Sequence, residues 1–286
     1  MRLIYALKQE LKKTVVNTGF FVCVLITLIL FFLTTCYVDV NTGKSYSVIE
    51  TLLFIKHQKI CEDVSFASCN IIQWAVSGYF LMFIPIIAAF PFIPNFCAER
   101  NSGLIRFTIQ RSGKMRYYVT KFLSALLGGG LAVLLAYMIF MLIIYLNFPS
   151  LNSYSLSDEM LALYKQNAMP INIIKSIFGI FIFGAMAVVP AFLISSFVKN
   201  RYLITCIPFM VVYLFSTSLT KLSYDGMEKN KPELIKIAQI LKPETITKLS
   251  HYEETVRDAL IINFLFLIVS FIAFVLIMNR RWDLGE

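Results

Sequence analysis

Charge is scarce in this chain, and it is confined to short stretches. Only 15% of the 286 residues are Asp, Glu, Lys or Arg, and histidine occurs twice, at His57 and His251. No HExxH motif and no paired Cys/His spacing exists, so nothing points to a metal site or a metal hydrolase. No GxxxxGK[ST] phosphate loop exists, so the chain does not cradle ATP phosphates in that way. A serine nucleophile needs a neighbouring base, and the apolar stretches hold no histidine; Lys175 stands only at the outer edge of one of them. No catalytic residues are therefore assigned, and an intramembrane enzyme is disfavoured. Ion-driven carriers usually place carboxylates or cations inside the membrane, and these interiors carry none. The formal charge of +9 does not argue for nucleic acid, because no soluble domain exists to present a basic face.

What the chain has in abundance is apolar side chain. Hydrophobic residues make up 58% of it and the mean hydropathy is +0.73, a membrane composition. Runs at about 19–38, 71–94, 122–147, 174–198, 202–220 and 259–278 approach the length a bilayer requires. The first is too long for a signal-peptide core and lacks a small-residue cleavage site, so it reads as a retained span. Residues 1–17 read as an amphipathic interfacial helix, with Leu3, Leu7, Leu11 and Val15 four apart and Lys8, Lys12 and Lys13 mostly elsewhere. A plain basic anchor for the first span fits the same residues. With no repeat, low-complexity tract or linker, residues 1–286 read as one domain: an all-α membrane protein with an interfacial helix and six transmembrane helices.

Orientation follows from lysine and arginine. One side of this arrangement carries fourteen of them against four acids, and the other twelve against thirteen. Basic residues in short loops stay inside, so both termini are expected in the cytoplasm. The most basic connector is 95–121, NFCAERNSGLIRFTIQRSGKMRYYVTK, in which Glu99 is the single acid. Helical spacing puts Leu104, Phe107 and Arg111 on one side, with Arg106, Ile109 and Gln110 round from them. Those residues describe either a short helix that docks on a cytoplasmic partner or an ordinary positive connector.

Outside, residues 221–258 contain PELIKIAQIL, where Pro232 suits a first helical turn and Leu234, Ile235, Ala238 and Leu241 form an apolar face. Such a helix either rests on the spans or merely connects them. Cys61 and Cys69 lie in the 39–70 outer loop, where a disulfide can form in an oxidising compartment; spacing leaves the pairing open. Gly128, Gly129 and Gly130 fall inside the third span and suit close helix packing. Pro85, Pro91, Pro94, Pro190 and Pro208 interrupt spans and favour kinks.

These features together resemble the membrane subunit of an ABC transporter, the permease of the type-2 exporter class, over nearly the whole length. The resemblance rests on the amphipathic helix, the six spans and the loop after the second. There Glu99-Arg100, Gly103, the apolar run to Ile109, the turn Arg111-Ser112-Gly113 and Lys114, Arg116 and Lys121 follow the family pattern, with Ser-Gly where the family often has proline. The ending Asn279-Arg280-Arg281-Trp282-Asp283 is similar as well.

The resemblance implies a multi-pass protein of a bacterial plasma membrane that works with a second permease, identical or homologous. Two separate ATPase subunits would carry ATP and magnesium, and membrane lipid is the remaining partner. Glu99, Arg100, Gly103, Leu104, Arg106, Phe107, Arg111, Lys114 and Arg116 would couple to the ATPase. Phe31, Phe32, Tyr79, Phe83, Phe209 and Tyr213 would approach a path for an amphipathic or lipophilic cargo, a peptide or drug; packing or lipid contact explains each of them singly. The competing class is a non-transport sensor, scaffold or immunity protein using the same loop. An ATPase gene beside this one favours the first, and purification without any ATPase the second.

Overall fold

The computed structural model describes residues 2–39, 43–154, 169–198, 200–249 and 253–283. Lys199, His251, most of the 148–173 connector and the side chains of Arg201, Arg281, Trp282 and Asp283 lie outside the described set. The described chain is almost entirely helical. Four helices are long and apolar enough to cross a membrane, or up to six if each of two bent pairs forms one span.

The first bent pair is α1 (Arg2–Val15) and α2 (Thr18–Leu33), which meet at 58°. Asn17, in extended conformation between them, donates its side-chain amide to the carbonyl of Pro91 at 3.3 Å. The expected run to residue 38 stops early. Thr34 turns extended, and β1 (Thr35–Val38) pairs antiparallel with β2 (Ser45–Ser47), Tyr37 opposite Tyr46. This hairpin suits the sequence, since Thr, Cys, Tyr and Val favour a pleated surface over helix. Ser47 then caps α3 (Val48–Phe54) through a reciprocal box with Glu50, and α4 (His57–Glu62) follows.

The second expected span is broken in two. Helices α5 (Ser68–Ala75) and α6 (Tyr79–Ile87) meet at 54°, with the break at 76–78. The basic connector holds more helix than its spacing suggests. It contains α7 (Ile93–Asn101), α8 (Leu104–Ser112) and the opening turns of α9 (Lys114–Asn147). Gly103 at φ 73° and Gly113 at φ 87° separate them, conformations that a side chain with a Cβ resists. The remaining long helices are α10 (Pro170–Ser195), α11 (Arg201–Glu228) and α13 (Glu253–Asp283). Helix α12 (Pro232–Leu241) lies where PELIKIAQIL placed it, with Ala238 buried.

Helix α9 is the central member, and the glycine triplet explains its tightest contact. A Cβ on Gly129 would lie 2.2 Å from Val188 Cγ2, and one on Gly184 would lie 2.9 Å from Val133 Cβ. Backbones of α9 and α10 thus approach as only small residues allow. Aromatic rings fill the rest. Phe31 packs on Phe80, Tyr137 and Phe140, and nearer the basic end Phe92, Phe96, Phe122, Phe192 and Phe274 interlock. By contrast, α11 and α13 leave broad apolar faces uncovered, including Met210, Leu214, Phe264, Val269 and Leu276.

Candidate functional site

Five segments converge at the basic end of the bundle: the end of α1, the α7–α8 pair, the start of α9 and the ends of α10 and α13. Lys121 stands at their centre, 2% exposed, the last charged residue of α9. Its ammonium lies 2.6 Å from Glu10 Oε2 and 2.5 Å from Glu99 Oε2. It also faces the rings of Tyr117 at 5.6 Å and Phe92 at 6.0 Å. Lys13 reaches Glu10 at 3.2 Å and Glu99 at 3.8 Å from the exposed side. A buried lysine needs such partners, because an isolated charge out of water is costly. One cation thereby holds α1, α7 and α9 together. The Tyr117 hydroxyl, buried beside this cluster, makes no hydrogen bond among the described residues.

Burial would push the Glu10 carboxyl up, but Lys121, by charge and hydrogen bond, and then Lys13 outweigh it and hold it below the usual carboxylate range.

The neighbouring Arg100 points another way. Its guanidinium donates to the carbonyls of Ser195 at 2.5 Å and Val198 at 3.0 Å. The Ser195 carbonyl is the last of α10, where carbonyls lack intrahelical partners and carry the negative end of the helix dipole, and Val198 lies three residues beyond the helix. Tyr118 donates to Asn279 Oδ1 at 3.1 Å and so fixes the end of α13 to α9. Glu99 and Arg100, expected to couple to a partner, make internal ties that fasten α7 to the bundle.

The helix they support is amphipathic in an orientation the sequence does not settle. Ile105 and Ile109 are buried inward, Ile109 at 3% exposure. Leu104 and Phe107 project outward, Phe107 at 72%. Ile109 is thus an inner support rather than part of an outer anchor. Arg106, Arg111, Lys114 and Arg116 all lie on exposed positions around that apolar tip.

Elsewhere the expected residues separate. Phe83 stacks on Phe209 at 5.8 Å and Phe209 on Tyr213 at 6.1 Å, a ladder between α6 and α11. Tyr79 lies exposed on the same α6, and Phe32 packs edge-on against Phe140. Phe31 does not join them. It is fully buried within the core, because its position on α2 faces α6 and α9. The pairing of Cys61 with Cys69 is also not formed: both are free thiols. Cys61 sits exposed on α4, its Sγ 3.8 Å from His57 Nε2, while Cys69 is buried with Ala67, Leu151 and Tyr154.

The Lys121 cluster is the residue set that sequence reasoning misses. Spacing makes Lys121 only the opening of the third span, and Glu10 only a charge in α1. A lysine followed by 26 uncharged residues to Asn147 is the available signal. No protein-family model matches this chain, and no curated protein matches it at a significant level.

Proposed function

We propose that the chain is the membrane-spanning permease subunit of an ATP-driven ABC exporter, with hydrolysis on a separate ATPase. The observation that carries this reading is α8. It is a short helix set off by two glycines of positive φ, with an apolar inner face seated on the bundle and Leu104 and Phe107 presented outward among cations. Such a tip suits insertion into a groove of a partner, where an apolar anchor contributes more than rim charge. The ties of Glu99 to Lys121 and of Arg100 to the end of α10 would pass any displacement of α8 directly into three other helices.

On this reading both bent pairs contribute to membrane passage. The chain crosses six times, with α1 in the headgroup layer and α8 in the cytoplasm of a bacterial cell. The uncovered apolar faces of α11 and α13 meet lipid and a second permease. The Phe83–Phe209–Tyr213 ladder, with Tyr79 and Phe32, borders the route of an amphipathic or lipophilic cargo between the two. The test is co-expression with the ATPase encoded nearest this gene. Affinity capture of the permease should retain that ATPase, and cargo should stimulate its hydrolysis. Capture of the intact permease without any ATPase, together with ATPase activity indifferent to its presence, defeats the proposal and favours a sensor or scaffold.

A further inference from the structure

At the end of the bundle opposite α8, the break between α5 and α6 opens one side of a cavity of ≈ 500 Å³. Its walls come from α5, the outer end of α9, the first turns of α10 and the turn at Pro243–Lys248. None of these is the α6–α11 surface that carries the aromatic ladder. The cavity therefore needs no second copy of the chain to be complete, and a ligand bound in it is independent of the exporter reading.

The lining is divided in character. Ile72, Met141 and Ile173 provide an apolar side, while Gln73, Ser176 and Lys248 are among the polar groups. Among the described lining residues lysine is the only charged type, with no Asp or Glu. The first turn of α10 adds the positive end of a 26-residue helix. Lys248 is exposed at the rim, and the backbone just before it is packed against the bundle. The carbonyl of Ile246 sits against Gly179, where an added Cβ would lie 2.5 Å away, and Thr247 Oγ1 donates to the carbonyl of Glu244 at 2.7 Å. Trp74, exposed at the broken end of α5, lies on the same wall. A cavity of this size accepts a ligand of drug-like dimensions, or a lipid headgroup with part of one chain.

We propose that this cavity binds an anionic amphiphile, its phosphate or carboxylate group at Lys248 and the head of α10, its apolar chain along Ile72, Met141 and Ile173. In a membrane, the available source of that chemistry is an anionic phospholipid entering from the bilayer at the α5–α6 break. A free inorganic anion is the alternative source, and the experiment separates them.

Trp74 and Trp282 are the two tryptophans, so Trp282→Phe leaves Trp74 as the sole reporter. The full-length variant, in neutral detergent, is titrated with chain-brominated phosphatidylglycerol, chain-brominated phosphatidylcholine and sodium phosphate. The glycerol lipid should quench Trp74 at about five-fold lower mole fraction than the choline lipid, the preference expected of one near-surface lysine. Lys248→Gln should bring the two lipids level, and Lys248→Arg should restore the difference. Ser176→Phe, which fills the space and keeps the charge, should abolish the preference as well. Equal quenching in the parent, or a preference unchanged by Lys248→Gln, overturns the proposal. So does a response of Trp74 to phosphate that brominated phosphatidylglycerol cannot displace, because the ligand is then a free anion.

Discussion

The ammonium of Lys121 and the carboxylate of Glu99 lie 2.5 Å apart, joining the start of the longest helix to the helix that carries the basic connector. With Glu10 on the other side, the lysine holds two acids that are both mostly shielded from solvent. Removing the lysine leaves the two acids with only the exposed Lys13 to compensate them, at a cost of up to about 3–5 kcal/mol. Lys121→Met should therefore lower the unfolding midpoint in detergent markedly. Adding Glu10→Gln and Glu99→Gln to it should recover most of the loss, since no charge then remains stranded. Equal instability of the single and triple variants would show that stranded charge is not the source of the loss.

Placement of these residues separates stability from partner binding. Glu99→Lys brings a third cation beside Lys13 and Lys121, so it should destabilise the bundle whether or not a partner exists. Phe107→Ala removes an exposed ring, and surface changes of that kind alter stability by only about 0.5 kcal/mol. Its effect should fall on assembly, weakening ATPase capture by the ~2 kcal/mol typical of an interface hot spot. Lys114→Ala should weaken capture less. Thermal unfolding and pull-down of the same three preparations check this. Full capture by Phe107→Ala would remove α8 as the docking element.

The Glu10 tie sets a direction for pH dependence. Its folded pKa lies below the free value of 4.5, so its contribution is complete above that value and is lost as pH falls through the folded one. The stability advantage of the parent over Glu10→Gln should hold level from neutrality to roughly pH 5 and shrink only on stronger acidification. Unfolding midpoints of the two proteins across that range measure it. An advantage that grows as pH falls would mean the carboxyl is held protonated, contrary to its contact with Lys121.

Much of this architecture is legible in the residues because bilayer length and helical period are local rules. The amphipathic α1, the long apolar stretches, the close packing at Gly128–Gly130 and the PELIKIAQIL helix all follow from spacing alone. The differences have a common cause: they concern which way a side chain faces once several helices meet. Ile105 and Ile109 against Leu104 and Phe107 differ by little more than a rotation of α8, and composition cannot choose between them. Phe31 and Phe32 are adjacent, yet one is core and the other half-exposed. The Lys121 cluster joins residues 111 and 22 positions apart, a separation no local pattern encodes. The break at 76–78 shows a further limit, since an apolar run reads as continuous even where the backbone turns within it.

Orientation across the membrane can be read with a thiol the chain already has. Cys61 is free and exposed on α4, at the end of the bundle away from α8, whereas Cys23, Cys36, Cys69 and Cys97 are buried. Cys206 is exposed too, but on the apolar α11, whose neighbouring Leu203 and Ile207 suit lipid contact and exclude a polar reagent. A membrane-impermeant maleimide added to sealed cells should therefore label Cys61, without reductant, and Cys61→Ser should abolish the signal. Thr108→Cys in that Cys61→Ser background places a thiol on the exposed part of α8, and it should react only after permeabilisation. The opposite pattern, with Thr108→Cys labelled in sealed cells, would put the basic connector outside and remove the cytoplasmic ATPase from consideration. Labelling of Cys61 that requires prior reduction would instead mean that the thiol is bonded in the cell. The first result tests the charge asymmetry of the loops and the second the free state of the thiol, so each can fail without the other.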